Sequence, residues 1–509
     1  MGLGDLLIQA KLLTAEQVKK ALKLQAGQGG RLGDSLVASG FIAQDVLDAF
    51  RHRIPTEPAD IAATKINETD LLNLLMKLIY AGHLKSIREF VDAIKLPYQI
   101  VHDLVQMAVD RQLLRTLGTD DSGSMLDMGY AFTDQGRIYS IDALEQSRYV
   151  GPAPVTIEEF VNQVNLQKIT TELVTFDRIR KAFGDLIFPD RMIEQSGPAL
   201  NSGRAMLLYG PPGNGKTSVA LSFANVFNDV IYFPYAFMVE GQIIRVHDPS
   251  LHSPLGSAGL PPEEKLSFLR GEESDARWVP CRRPFVITGG ELTLEMLDLR
   301  YDATAKYYEA PLHVKALGGC FVIDDFGRQL VSPENLLNRW IMPLESHMDF
   351  LKLHTGKSFT VPFEELVIFS TNLEPEDLMN PAFLRRIPYK IEVGAPSLEL
   401  YKRIFEQECE YQGLKLSNEV FDSIVYKIRK ERGLNLAAYQ PKFIVDQIMA
   451  TSRFMGQKPH FEPKYIDYAV DNLRVHRNSP QEPPPAAQNV VDQHKMAVAA
   501  SSPTSAGRS

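Results

Sequence analysis

The stretch LLYGPPGNGKTSVA, residues 207–220, constrains the fold of this chain more than any other part of it. It satisfies G-x-x-x-x-G-K-[ST] with Gly210, Gly215, Lys216 and Thr217, after the apolar run AMLLY and before the helical pattern SVALSFANVF. A strand, a glycine-rich turn and a helix in that order separate a phosphate loop from a chance match. Gly210, Gly213 and Gly215 let backbone N–H groups turn inward around a β-phosphate. Lys216 reaches the β and γ oxygens, and the Thr217 hydroxyl is offered to Mg²⁺. Pro211, Pro212, Asn214 and Ser218 complete the expected cofactor-binding set.

A second run, GGCFVIDDFG (318–327), is apolar until two carboxylates appear at its end, where a buried strand delivers charge beside a phosphate loop. Asp324 is the expected Mg²⁺ partner, acting through water. Asp325 stands where a general base polarises the attacking water. LVIFSTNLEPEDL (366–378) is another apolar run and ends in Asn372, suited to orient that water or touch the γ-phosphate, although an Asn after a strand is also an ordinary turn residue. NPAFLRRIPYKIEV (380–393) puts Arg385 and Arg386 at the end of a short helix. An arginine directed at a neighbouring subunit's γ-phosphate contributes roughly 10³ to 10⁵ in rate and makes assembly a condition of turnover.

The rest of the chain divides around this core. Residues 1–54 hold an internal repeat, in which GLGDLLIQAKLLTAEQVKKAL (2–22) realigns with RLGDSLVASGFIAQDVLDAF (31–50), so a small module of paired helices is expected. Residues 55–68 read as a linker. Over 69–148 three amphipathic helices precede two extended pieces, LLRTLGT and MGYAFTDQG, joined by DDSGS, the order of a winged helix. Its third helix presents Gln99, His102, Asp103, Gln106, Asp110 and Arg111. Two acidic groups among these make phosphate approach costly, so protein docking is expected over DNA binding. Residues 149–172 read as a second linker. From 173 to 395 short apolar runs alternate with helical stretches, as in an α/β domain with a parallel sheet. Residues 396–476 read as a helical lid and 477–509, rich in Pro, Ala and Ser, as a disordered tail.

Composition narrows the partners and the compartment. With 54 basic and 63 acidic residues the net charge is −9, which argues against a surface built to neutralise nucleic-acid phosphates. Cys281, Cys320 and Cys409 are far apart and show no paired metal-ligand spacing, as expected of a reducing cytoplasm. No run reaches the roughly 18 apolar residues that span a bilayer. MGLGDLLIQAKLL has no basic stretch ahead of its apolar residues, so a cytoplasmic chain without membrane insertion is expected.

The order of phosphate loop, Asp-Asp strand, Asn after a strand, Arg pair and helical region resembles an AAA+ ATPase over residues 173–476. The resemblance implies ATP and Mg²⁺ as cofactors, Asn372 as sensor 1, Arg385 or Arg386 as the arginine finger, and QPKFIVDQI (440–448) as the sensor 2 helix with Lys442 at its basic position. It also implies a homo-oligomeric ring, a hexamer, acting on a protein substrate or partner. Lys442 replaces the usual Arg and Asp325 the usual Glu, and a carboxylate one methylene shorter allows slow hydrolysis or a switch-like cycle. YYEAPLHVKALGGCFVIDD (307–325) is similar to the approach to this motif in MoxR-like ATPases and in enhancer-binding activators, but the activators' GAFTGA string is absent.

RLGDSLVASGFIAQDVLDAF is similar to the MshEN domain of type II secretion and type IV pilus ATPases, which holds cyclic-di-GMP. Arg31, Leu32, Gly33 and Gly40 match its second motif, whereas the first has Gly2 in place of Arg and Lys11 in place of Gly. The expectation is a multidomain protein: a helical repeat module, a winged-helix-like domain, an AAA+ α/β core and a helical lid. It would remodel a protein under N-terminal control linked to cyclic-di-GMP and to pilus or secretion systems. A DNA-associated ATPase and a slow ATP-binding switch stand as alternatives.

Overall fold

The computed structural model describes residues 3–28, 31–119, 128–255, 274–378 and 381–473. Gly2, the DDSGS turn, the last residues of the expected lid and the 477–509 tail lie outside them. Two compact units emerge, Met1–Ile404 with Ala437–Tyr439, and Phe405–Leu436 with Gln440–Ser509.

The centre of the first unit is a five-stranded sheet whose strands are numbered here in chain order: β1 (Met206–Tyr209), β2 (Phe285–Thr288), β3 (Cys320–Ile323), β4 (Leu366–Thr371) and β5 (Tyr389–Glu392). The spatial order is β5-β1-β4-β3-β2 and every pairing is parallel. Parallel strands covered on both faces read as unbroken apolar runs, and Met206, Leu207, Leu208, Phe321, Val322 and Ile323 are all fully buried. Met206 and Leu208 face one cluster with Ile179, Leu200, Val219 and Phe223. Leu207 faces the other, around Leu336 and Trp340. Because all five strands run the same way, their C-terminal ends share one edge. There β4 lies between β1 and β3, so Asn372 emerges between the phosphate loop and Asp324.

The segment 149–172 is not a linker. Val155–Thr156 forms the edge strand of a second five-stranded sheet, with Ala236–Val239, Gln242–Arg245, Tyr307–Glu309 and Arg300–Asp302 following in spatial order. The helix Ile157–Leu166 starts in a capping box, with Glu159 N donating to Thr156 Oγ1 at 3.2 Å and Thr156 N to Glu159 Oε2 at 2.9 Å. Its Phe160 ring stacks on Phe237 at 4.7 Å. The T-x-x-E signal of that cap was present in TIEEF and outweighs the Gly-Pro residues just before it.

The described residues of the 3–52 segment form four helices, Leu3–Gln9, Ala15–Gln28, Leu32–Ala38 and Gln44–His52. Lys11 and Gly40, equivalent in the repeat, both take left-handed backbone, φ 56° and 70°. The two copies therefore turn alike, although only one has the residue suited to that turn. Helices Glu68–Gly82, Ile87–Ile94 and Tyr98–Asp110 precede an antiparallel pair, Leu114–Thr119 with Met128–Phe132. The second extended piece is shorter than read. Gly136 N donates to the Thr133 side chain at 2.9 Å, and this cap starts the helix Asp134–Gln146 in place of more strand.

In the second unit the helices Gln440–Phe454 and Pro463–Asp471 bury Ile444, Ile448, Ile466 and Val470, and Arg432 pairs with Asp471 at 2.6 Å. No helix among the described residues is long and apolar enough to cross a membrane.

Candidate nucleotide site

The phosphate loop leaves β1 at Gly210 and enters the helix Lys216–Ala224 at Gly215. Gly210 and Gly213 sit at φ 131° and 79°, closed to most side chains. A Cβ on Gly210 would lie 2.7 Å from the Val393 carbonyl oxygen, and one on Gly213 would lie 2.4 Å from the Tyr439 ring. Tyr439 N donates to the Gly213 carbonyl at 3.0 Å, and Ala438 N to Asn214 Oδ1 at 3.1 Å. Pro211, Pro212 and Gly213 stay exposed, Asn214 is buried, and Ser218 follows in the first helical turn. Lys216 is buried and its Nζ donates to the carbonyls of Gly210 at 2.8 Å and Pro211 at 3.0 Å, so the amine lies across the loop. Burial pushes its pKa down, opposed by Asp325 and Asp324.

At the end of β3 the two carboxylates part company. Asp324 Oδ2 accepts from the Thr217 hydroxyl at 2.8 Å and its Oδ1 from the Asp325 backbone N–H at 3.0 Å. Asp325 has left-handed backbone, φ 49°, and its Oδ1 accepts from Asn372 Nδ2 at 3.0 Å. Thr217, Asp324, Asp325 and Asn372 thus form one connected chain of hydrogen bonds, brought together by β1, β3 and β4. Gln329 escaped the sequence reading. Its side-chain amide bonds to the Asp324 and Asp325 carbonyls and to Gly327 N, yet a polar residue in a loop carries no signal of that kind.

Beside the loop lies a cavity of about 500 Å³, lined by Phe188, Met192, Tyr209, Asn214, Val393 and Ala438 among others. Asn214 Nδ2 is buried there without a hydrogen-bond partner among the described residues. Sequence reasoning missed this cavity because its walls come from four separate stretches of chain.

Arg385 and Arg386 stand elsewhere. They precede β5, whereas Val393, just after it, donates its N–H to the Tyr209 carbonyl at 2.8 Å beside the phosphate loop. The extended chain from Arg386 to Val393 spans roughly 20 Å, so neither arginine is brought to the phosphate loop of its own chain. Arg386 pairs with Glu345 at 2.7 Å, and Arg385 is exposed with no side-chain partner among the described residues. Both line a second cavity of about 300 Å³ with Arg204, Glu345 and Glu365. Lys442 belongs to the second unit, where it is exposed and 3.5 Å from Asp446.

Residues 397–472 match a domain of unknown function, DUF8689. None of the curated proteins matches the chain. Among solved structures, the RuvB Holliday junction branch migration motor of Thermotoga maritima is similar at 15% identity, over 58% of this chain and 73% of that one, with a TM-score of 0.31. NtrX from Brucella abortus in complex with ATP is similar at 14% identity, over 67% of this chain and 65% of that one, with a TM-score of 0.34. Likeness at this level carries no argument about chemistry. The α/β phosphate-loop core rests on its own sheet order and loop geometry.

Proposed function

We propose that the chain is an AAA+ ATPase that couples ATP hydrolysis to the remodelling of a protein partner. The observation that carries this reading is the hydrogen-bonded chain Thr217–Asp324–Asp325–Asn372 beside the buried Lys216. In this reading Lys216 gives up its two loop carbonyls to reach the β and γ oxygens, and the loop N–H groups take the β-phosphate. The hydroxyl and carboxylate of Thr217 and Asp324 fit Mg²⁺, which takes one or two protein oxygens and otherwise water and phosphate. The ion supplies charge neutralisation at the phosphates when bound. Asp325 accepts the proton of the attacking water, and Asn372 holds that carboxylate in place. The cavity beside the loop suits the nucleoside in size, and Asn214 Nδ2 offers it an unused donor.

Arg385, exposed and distant from its own phosphate loop, is the better placed of the two arginines to serve a neighbouring protomer, in support of a homo-oligomeric ring, a hexamer by family resemblance. Lys442 would act from the lid. The N-terminal repeat would be the input module, with cyclic-di-GMP as its ligand and a type IV pilus or secretion system as its setting. Arg31 is exposed at the cap of its helix in support of that role. Calorimetry of the full chain with cyclic-di-GMP tests it, and equal heats from wild type and Arg31→Ala would remove it.

The slow-switch alternative draws on Asp325, which is shorter than Glu and tethered to Asn372. Steady-state ATPase assays of wild type, Asp325→Glu and Asp325→Asn decide between the two. A motor hydrolyses ATP as wild type, gains rate with Glu and loses it with Asn. No turnover in wild type or in Asp325→Glu, with ATP still bound, leaves the switch. The ATP-holding Asp325→Asn variant then serves to capture the partner.

A further inference from the structure

Asp325, a non-glycine residue, stands in left-handed backbone. A non-glycine residue in left-handed conformation costs about 1–2 kcal/mol, and such a residue persists only where its surroundings over-determine it. At φ 49° Asp325 is restrained by three hydrogen bonds of its own and one on the peptide that follows it. Its N–H goes to Asp324 Oδ1 at 3.0 Å, and its carbonyl takes Arg328 N at 3.0 Å. Next to it, Phe326 N donates to the Ser370 carbonyl at 2.7 Å. The carboxylate itself meets Asn372 Nδ2 at 3.0 Å.

Gln329 adds a bracket across the same turn. Its Nε2 donates to the carbonyl of Asp324 at 3.0 Å, with longer contacts to Asp325 at 3.3 Å and to Gly289 at 3.4 Å. Its Oε1 accepts Gly327 N at 2.8 Å. One half-buried side chain therefore fastens the peptides of both candidate chemical carboxylates to each other, and to the end of β2. The hydrogen bonds of the Gln329 side chain all go to backbone N–H and carbonyl groups of the described residues, so its influence runs through the backbone.

We propose that Gln329 is a positioning residue for hydrolysis, fixing the peptide from which the Asp325 carboxylate reaches the attacking water. This rests on the ATPase reading of the site. A carboxylate held by a short side chain has little reach of its own, so its placement depends on the backbone more than that of a Glu would. A misplacement of 1 Å in a reacting group costs on the order of 100-fold in rate.

The test compares Gln329→Met, similar in length but without donor or acceptor, and Gln329→Glu, which keeps the acceptor for Gly327 N–H and removes the donor. Each full-length variant is assayed for kcat, for KM, and for affinity toward a fluorescent ATP analogue, with the thermal midpoint as a check on folding. We expect kcat to fall roughly 10- to 100-fold, with KM and analogue affinity within about twofold of wild type. In an Asp325→Asn background, where the base is already gone, Gln329→Met should change the residual single-turnover rate by less than about twofold. Should Met disturb the fold, the Glu variant gives the same comparison. Unchanged kcat in a folded variant, or a rise in KM alone, overturns the positioning role and leaves the ATPase reading intact. A wild-type chain that does not hydrolyse ATP overturns the ATPase reading, and the positioning role with it.

Discussion

Thr217 and Asp324, 107 positions apart in sequence, share a hydrogen bond of 2.8 Å between hydroxyl and carboxylate. One residue stands in the first turn of the helix after β1 and the other directly follows β3, so their contact depends on the strand order that separates those strands by β4 alone. A hydroxyl and a carboxylate in contact form a hard-oxygen pair suited to a small divalent cation. Asp324→Asn keeps the shape and removes the charge. It should abolish Mg²⁺-dependent ATP turnover while leaving the thermal midpoint within a few degrees. Titration of turnover against Mg²⁺ is the measurement, and a wild-type Mg²⁺ dependence in the variant would remove Asp324 from the metal role.

The parts of the candidate site legible in sequence are those whose residue type and spacing match the proposed chemistry. Asp324 and Asn372 each follow an apolar run, Lys216 and Thr217 follow the glycine-rich loop that leaves another, and parallel strands deliver such ends to one edge. What stayed hidden depended on contacts between distant stretches. Ala438 and Tyr439 bond to Asn214 and Gly213, more than 200 positions away, and nothing local to AAYQ signals it. The helix Ile157–Leu166 was obscured by the Gly-Pro-Ala-Pro stretch before it, although its capping residues were legible one by one. Gln329 was invisible because a polar loop residue acting on carbonyls has no pattern to match.

Gly213 joins the phosphate loop to Tyr439 closely enough to test. At φ 79° an Ala pays the left-handed penalty of about 1–2 kcal/mol, and its Cβ would stand 2.4 Å from the Tyr439 ring. Gly213→Ala should therefore weaken ATP affinity by about tenfold or more, an effect of both strain and displacement of the loop. Adding Tyr439→Ala removes the clash but not the backbone strain, so the double variant should recover part of the loss. Binding of a fluorescent ATP analogue reads both. No recovery in the double variant would show that the ring contact is immaterial.

Arg385 and Arg386 are adjacent yet differently employed, and their variants should separate. Arg386 is paired with the half-exposed Glu345, so Arg386→Ala should lower stability by about 1 kcal/mol or less. Arg385 makes no such bond among the described residues, and if it serves a neighbouring protomer Arg385→Ala should lower kcat on the order of 10³-fold at unchanged ATP affinity. The decisive measurement mixes Arg385→Ala with Asp324→Asn. Each lacks what the other retains, so activity reappears in mixed oligomers only when the arginine acts between protomers. A mixture as inactive as its components, despite exchange of subunits, would refute that arrangement.

Lys77 provides a prediction about stability in a part of the chain remote from the phosphate loop. Its side chain is 4% exposed on the helix Glu68–Gly82, and Nζ donates to the Ser147 carbonyl at 3.0 Å. Burial pushes its pKa down to about 8, against the opposing pull of Asp70, from an ordinary 10.5. The unfolded chain therefore holds more protons than the folded one between those two values, and stability rises with pH across that window. Below pH 8 the amine is charged in both states and the burial penalty is full, about 3 kcal/mol for a shift of this size. Lys77→Met removes the charge and leaves the Ser147 carbonyl without its donor, a loss of about 1 kcal/mol. The variant should thus be more stable than wild type by about 2 kcal/mol at pH 7, and the advantage should vanish or reverse near pH 10.5, where the wild-type amine is increasingly neutral and still bonded. Urea denaturation at the two pH values measures this, and an equal advantage at both would mean that packing, not charge, separates the two side chains.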